Sequence, residues 1–243
     1  MVMGRVKKLV IKCIQFLYRN TASKRDLGFE IGDTLDPLFG YMSGTPVDRF
    51  LIGKAFESER FFESLNQPET QGIEVGDIEY LSTYFQKVKK SKLTFLKDNP
   101  LSFKDKLEVT GDLTAPNCEV SNHYDVVIST QVLVYVENDQ QAIRNIKQMM
   151  KPNALLIGSE PLVAPLSIYD DSRWGENRRY SPRSLRALLE SEFEVIEFYV
   201  LGNAVSSAAL VLGIPVESLD KELLGKSRHS HGTCIFYVVK KIS

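Results

Sequence analysis

Apolar residues recur along this chain in two rhythms. Near the start, Val6, Leu9, Val10, Cys13, Ile14 and Leu17 stand at helical spacing, with Lys7, Lys8, Lys12 and Arg19 mostly off that stripe. This predicts an amphipathic helix within a lead-in of residues 1–34. From about residue 72 short apolar runs alternate with amphipathic stretches, which signals an α/β domain with a parallel sheet. Seven strands are expected. They are Ile73–Val75, closed by Gly76; Leu93–Leu96, before the Asp98-Asn99-Pro100 turn; and Leu107–Thr110, closed by Gly111-Asp112. Tyr124–Ser129 follows, apolar enough to be buried on both faces, then Ala154–Gly158, Val195–Val200 and Cys234–Val239. A helix is predicted over Asp139–Lys151, with Ile143, Ile146, Met149 and Met150 on one face and Pro152 as its stop. Another begins at Ser181-Pro182, a cap followed by proline in the first turn, and buries Leu185, Leu188 and Leu189. The apolar stretch Asn203–Gly213 reads as a core helix or as an interface between two copies. Glu160–Tyr180 has no period, yet is rich in Asp, Arg, Tyr and Trp. A polar loop directly after a central strand is expected to be functional.

Composition narrows the class. The 243 residues carry 30 Lys+Arg against 31 Asp+Glu, so the basic excess that nucleic-acid binding needs is missing. Length and hydrophobic content fit one domain, taken as residues 35–243. The three cysteines, Cys13, Cys118 and Cys234, are far apart and odd in number, which points to a reducing, cytoplasmic location. No apolar run reaches the length of a membrane-spanning helix. The basic N-terminal helix either packs on the domain or lies on an anionic membrane surface.

In an open α/β sheet, ligands bind beyond the carboxyl ends of the strands, near the reversal of strand order. After the first strand, Gly76 lets a ligand approach the backbone closely, and Glu74 can catch an ammonium group or an ordered water. Asp98, 22 positions beyond Gly76, is placed to accept ribose hydroxyls. Gly111-Asp112-Leu113 offers a carboxylate and an apolar side chain suited to an adenine amino group and ring face. Thr130-Gln131 stands at the tip beside the first strand.

Taken in order, Gly72-Ile-Glu-Val-Gly-Asp77, Thr110-Gly-Asp-Leu-Thr114 and Tyr124-Asp-Val-Val-Ile-Ser-Thr-Gln131 resemble a class I S-adenosylmethionine-dependent methyltransferase. The chain is similar to a subgroup found with glycosyltransferases in polysaccharide assembly, some of which methylate sugar hydroxyls. Phe39-Gly40 to Gly44-Thr-Pro-Val-Asp-Arg-Phe50, Arg173-Trp-Gly175 with Arg179-Tyr180, and Gly202-Asn203 carry that part of the resemblance. The glycine-rich loop is reduced to Gly72 and Gly76, with Asp77-Ile78-Glu79 in the turn, like the subgroup's own shortened version. The resemblance implies a Rossmann-like sandwich, a seven-stranded mostly parallel sheet of order 3-2-1-4-5-7-6 with helices on both faces and strand seven antiparallel. It implies S-adenosylmethionine as cofactor, with Glu74 and Gly76 near the methionine moiety, Asp98 on the ribose, Gly111, Asp112 and Leu113 around adenine, and Gln131 near the sulfonium. It implies a sugar or glycan acceptor. The other readings are a methyltransferase of small molecules, lipids or phenols, a binding module that kept the fold without the chemistry, and a dinucleotide-dependent oxidoreductase. The last lacks its G-x-G-x-x-G turn.

Methyl transfer to a hydroxyl needs a group that removes its proton. Glu160, Asp170, Asp171 and His123 are candidates, with Tyr135 and Tyr169 as hydrogen-bonding partners. The Asp170-Asp171 pair is preferred, because it lies in the loop expected to cover the acceptor and close like charges raise one pKa. Trp174, the single tryptophan, can stack on a sugar face or anchor the loop. Arg173 and Arg179 can hold a phosphate or pair with Asp171 or Glu176. His229 and His231 lack a third ligand, so no metal is expected.

Overall fold

The computed structural model describes residues 39–40, 43–58, 62–224 and 231–242. The predicted N-terminal helix, with Cys13, lies outside them, as does His229. Helix α1 (Val47–Ser58) and the short α2 (Phe62–Leu65) lead into strand β1 (Gln71–Val75). Next come α3 (Tyr80–Tyr84), β2 (Lys89–Phe95), the two-residue β3 (Ser102–Phe103), β4 (Glu108–Gly111) and β5 (Tyr124–Thr130). A 3-10 turn, Leu133–Tyr135, precedes α4 (Asp139–Met149), β6 (Met150–Pro161), α5 (Ile168–Trp174) and α6 (Pro182–Glu190). The chain continues with β7 (Phe193–Leu201), α7 (Ala204–Leu212), a turn at Val216–Ser218, α8 (Lys221–Leu224) and β8 (Cys234–Lys241).

The strands form one eight-stranded sheet in the order β3-β4-β2-β1-β5-β6-β8-β7. The seven expected strands keep their expected order, and β8 runs antiparallel to both neighbours, β6 and β7. The eighth strand, β3, pairs antiparallel with β4 at the opposite edge. Two residues are too few to carry a hydrophobic period, so β3 was invisible as a pattern. From β1 the chain works outward to β2 and β4, then crosses back to β5. The order therefore reverses between β1 and β5.

Both faces of the sheet are covered, giving an α/β Rossmann-like sandwich. On one face α4 and α6 lay Ile143, Ile146, Met149, Leu185, Leu188 and Leu189 against Ile73, Val127, Leu156 and Val239. On the other, α1 and α3 pack Ile52, Phe56, Tyr80 and Leu81 against Val126, Ile128, Ile157 and Phe236. Phe56 is the centre of an aromatic cluster, stacked on Tyr80 (5.0 Å) and edge-on to Phe236 (5.5 Å). Helix α1 also turns Val47 and Leu51 toward Ala209 and Leu210 of α7.

Local signals explain several helix ends. Ser181 caps α6, with Pro182 in the first turn and Ser184 completing a capping box. Asn203 caps α7, and left-handed Gly213 (φ +67) ends it. Helix α4 stops at Met149, earlier than expected, because Lys151 precedes Pro152 and is pushed toward extended backbone. The region 160–180 is not wholly irregular as expected: it holds α5, whose Ser167 cap accepts from the Asp170 N–H. Seven residues make only two turns, too short for a repeat to show.

Candidate functional site

At the β1 corner, Glu74 is 2% exposed. Its oxygens accept the N–H groups of Tyr80 (3.1 Å) and Leu81 (2.9 Å), so it clamps the first turn of α3. Burial lifts its pKa to about 7, against the lowering effect of those amides. Glu74, read from the sequence as an acid able to catch an ammonium group or an ordered water, thus first serves the chain itself. Gly76 ends β1 at φ +91, and nothing lies within 4 Å of where a Cβ would stand. The tip of β1 is thus an open cradle that only glycine adopts without strain.

Past β2 and β4, Asp98 and Asp112 meet. The Asp98 N–H donates to Asp112 Oδ2 (3.3 Å), while Asp112 Oδ1 accepts from the N–H and hydroxyl of Thr114, both at 2.7 Å. Asp98 stands in left-handed backbone (φ +59) with its carboxylate in the exposed turn. Gly111 has a structural reason: a Cβ there would sit 2.5 Å from the Pro100 carbonyl. Leu113 is 5% exposed and belongs to the core, which corrects its expected place on an adenine face.

Beyond β5, Gln131 is left-handed (φ +55), with its N–H on the Ser159 carbonyl at 2.6 Å. Its Nε2 donates to Oδ2 of Asp48 in α1, also at 2.6 Å. Asp48 is 9% exposed, and its other oxygen, Oδ1, is buried with no hydrogen-bond partner. Burial raises the Cys234 thiol and the Tyr80 phenol, and the Asp48 charge adds to both shifts. The Gln131 bond places Asp48 at the tip of β5. Asp48 was missed as a site residue because it precedes the first strand, where no strand-tip rule applies.

On the opposite face, Glu160 of β6 is fully buried and accepts the N–H groups of Leu133 (3.1 Å) and Val134 (3.3 Å). Burial raises its pKa to about 8. Glu160 is thereby a clamp on the Leu133–Tyr135 turn, which corrects its expected place as a base in open reach of an acceptor. The turn carries Tyr135, whose hydroxyl reaches Asp170 Oδ2 (3.4 Å) and whose ring meets Trp174 edge-on at 5.9 Å. Asn177 ties the end of α5 to the same turn through the Val134 and Tyr135 carbonyls. Ser167 Oγ donates to Asp170 (2.6 Å), and the Glu176 N–H donates to Asp171 Oδ1 (2.8 Å). Arg179 pairs with Glu176 and also donates to the Pro165 carbonyl at 3.2 Å. Arg173 and Trp174 are exposed at the end of α5. The side chain of Tyr169 is outside the described set. His123 is excluded as a base: it precedes β5, at the amino end of the sheet, with its N–H on Met149 and its ring against Phe103. An unforeseen knot lies beneath, where Asp139 accepts from Tyr180 (2.9 Å) and pairs with Arg178. Among the described residues no three His, Cys, Asp or Glu side chains converge as a metal site. None of the described helices is long and apolar enough to cross a membrane.

Residues 85–158 match the model of the methyltransferase domain family. The match covers the middle of the sheet. It runs from the end of α3 to the middle of β6 and includes the tips of β2, β4 and β5. Among curated proteins, none matches the chain by sequence. Solved structures align with it. A chain of the complex between the Haloferax volcanii methyltransferase activator Trm112 and a methyltransferase aligns with TM-score 0.50 and 11% identity, over 81% of this chain and 92% of that one. The N-methyltransferase NodS from Bradyrhizobium japonicum, in complex with S-adenosylhomocysteine, aligns with TM-score 0.47 and 11% identity over 84% and 91%. A methyltransferase from Thermotoga maritima aligns with TM-score 0.47 and 16% identity over 80% and 91%. At these identities the likeness is one of fold.

Proposed function

We propose that the protein is an S-adenosylmethionine-dependent methyltransferase acting on a sugar hydroxyl of a glycan or activated sugar. The cofactor belongs at the carboxyl ends of β1, β2, β4 and β5, where the strand order reverses. The residues there fit it. Gly76 leaves an open cradle at the β1 tip, exposed Asp98 suits ribose hydroxyls, and Asp112 stands beside it for the adenine amino group. Gln131 suits the sulfonium end. When bound, S-adenosylmethionine supplies an electrophilic methyl group. The protein's part is to hold the acceptor oxygen in line with it, exclude water and take up the hydroxyl proton.

The observation that carries the sugar reading is the platform on α5. Tyr135 and Trp174 present aromatic surface, Trp174 being 45% exposed, directly beside the carboxylates of Asp170 and Asp171. Apolar ring faces flanked by hydrogen-bonding carboxylates suit a sugar, with its C–H faces and hydroxyl rim. Exposed Arg173 suits a phosphate on an activated glycan, and Arg179 can join it by exchanging its Glu176 partner. Asp171 is the base in this reading.

Two measurements test it. Calorimetric titration with S-adenosylhomocysteine should give a saturable isotherm, and silence up to millimolar ligand would refute the cofactor. Methyl transfer from S-adenosylmethionine to a panel of nucleotide sugars, rhamnosides and other oligosaccharides, read by mass spectrometry, tests the acceptor. Transfer only to a phenol or a lipid would overturn it. With the sugar identified, Asp171→Asn should lower turnover about 100-fold at unchanged S-adenosylhomocysteine affinity.

A further inference from the structure

The first strand carries an acid of the kind expected to meet the ammonium group of the cofactor's methionine, but Glu74 is 2% exposed and each of its oxygens already accepts an amide of α3. A cationic group bound at the tips of β1 and β5 is better met by a carboxylate oxygen that has no donor yet. One described carboxylate at these tips is incomplete. Asp48 is brought over the sheet by α1, which is fixed on two sides, by Ile52 and Phe56 on the sheet and by Val47 and Leu51 on α7. Gln131 holds Oδ2 at 2.6 Å and so orients the carboxylate, leaving Oδ1 buried without a donor. The adjacent Arg49 does not supply one, since its guanidinium turns to the Tyr80 hydroxyl (3.3 Å) and to Glu79 (3.8 Å). A buried carboxylate oxygen with no donor is unfavourable until a donor arrives, and a charged donor returns the most.

We propose that Asp48, oriented by Gln131, receives the α-ammonium of the bound cofactor at Oδ1. This inference rests on the cofactor assigned under the proposed function and replaces Glu74 by a residue from the helix before the first strand. Asp48 and Gln131 then form the amino-acid end of the cofactor site, while Asp98 and Asp112 form its nucleoside end.

The test uses S-adenosylhomocysteine and its analogue lacking the α-amino group, titrated calorimetrically into the whole protein. The wild type should bind S-adenosylhomocysteine at least about 10-fold more tightly than the deaminated analogue, the scale of one charge-assisted hydrogen bond. Asp48→Asn keeps an oxygen for Gln131 but loses the charge. It should weaken S-adenosylhomocysteine by a similar factor, leave the analogue's affinity unchanged, and so erase the preference. Equal affinity of the wild type for both ligands would overturn the proposal without any variant. An Asp48→Asn protein that weakens both ligands alike would also overturn it, because the residue would then act only by anchoring α1. If the wild type binds neither ligand, the cofactor assignment itself fails and the inference falls with it.

Discussion

Glu74 and Glu160 do the same work on opposite faces of the sheet. Each is an acid near the carboxyl end of a central strand, each is buried, and each accepts two backbone N–H groups from the segment that crosses above it. Burial raises both, to about 7 and about 8. What they hold differs. Glu74 fixes a helix whose Tyr80 and Leu81 belong to the aromatic core. Glu160 fixes a turn that carries Tyr135 out to α5. The same interaction therefore stabilises a core element on one face and the proposed acceptor platform on the other. An acid at a strand end is as readily a clamp for the chain as a group for a ligand.

The largest test of that comparison is to remove each clamp. Glu74→Ala and Glu160→Ala each leave two amides without their acceptor and should each lose about 2–5 kcal/mol in urea denaturation. A marked loss in only one would break the parallel. A sharper test is pH. Both carboxyls titrate above the ordinary 4.5 when folded, so the folded chain holds extra protons and its stability falls as pH rises from about 4.5 through 7 and 8. The slope should reach at most about 1.4 kcal/mol per pH unit for each group. Glu108 and Glu217, held at about 2, act only below pH 4.5. Thermal melts of a Glu74→Gln, Glu160→Gln double variant should therefore run flatter between pH 5 and 8 than those of the wild type. The smallest effect separates platform from core. Tyr135→Phe should change stability by less than about 0.5 kcal/mol, yet raise the acceptor KM about 2- to 10-fold, the worth of one hydrogen bond.

The strands were legible because strands buried on both faces read as apolar runs, and β5 and β8 are buried almost throughout, while their order came with the family resemblance. Helix α6 announced itself through Ser181, Pro182 and its leucine stripe. Strand β3 and helix α5 were not legible because neither is long enough to repeat. For the site, spacing located the strand tips but said nothing of which oxygens the backbone would claim. Glu74 and Glu160 read as ligand-facing acids for that reason, and Leu113 as an adenine contact rather than a core residue. Asp48 was hidden more deeply, since its partner Gln131 lies 83 positions away.

Helix α1 has a consequence during synthesis. It leaves the ribosome before every other described element it touches. The lead-in residue Thr45 is tied to Glu217, 172 positions later, through its N–H (2.9 Å) and hydroxyl (2.7 Å). Phe56 waits longer still for Phe236. At roughly 5–20 residues per second, α1 meets α3 within seconds, but its contact with β8 waits about 10–35 s while the rest of the sheet is made. The helix that brings Asp48 to the strand tips is among the first described parts of the chain to be made and among the last to be secured.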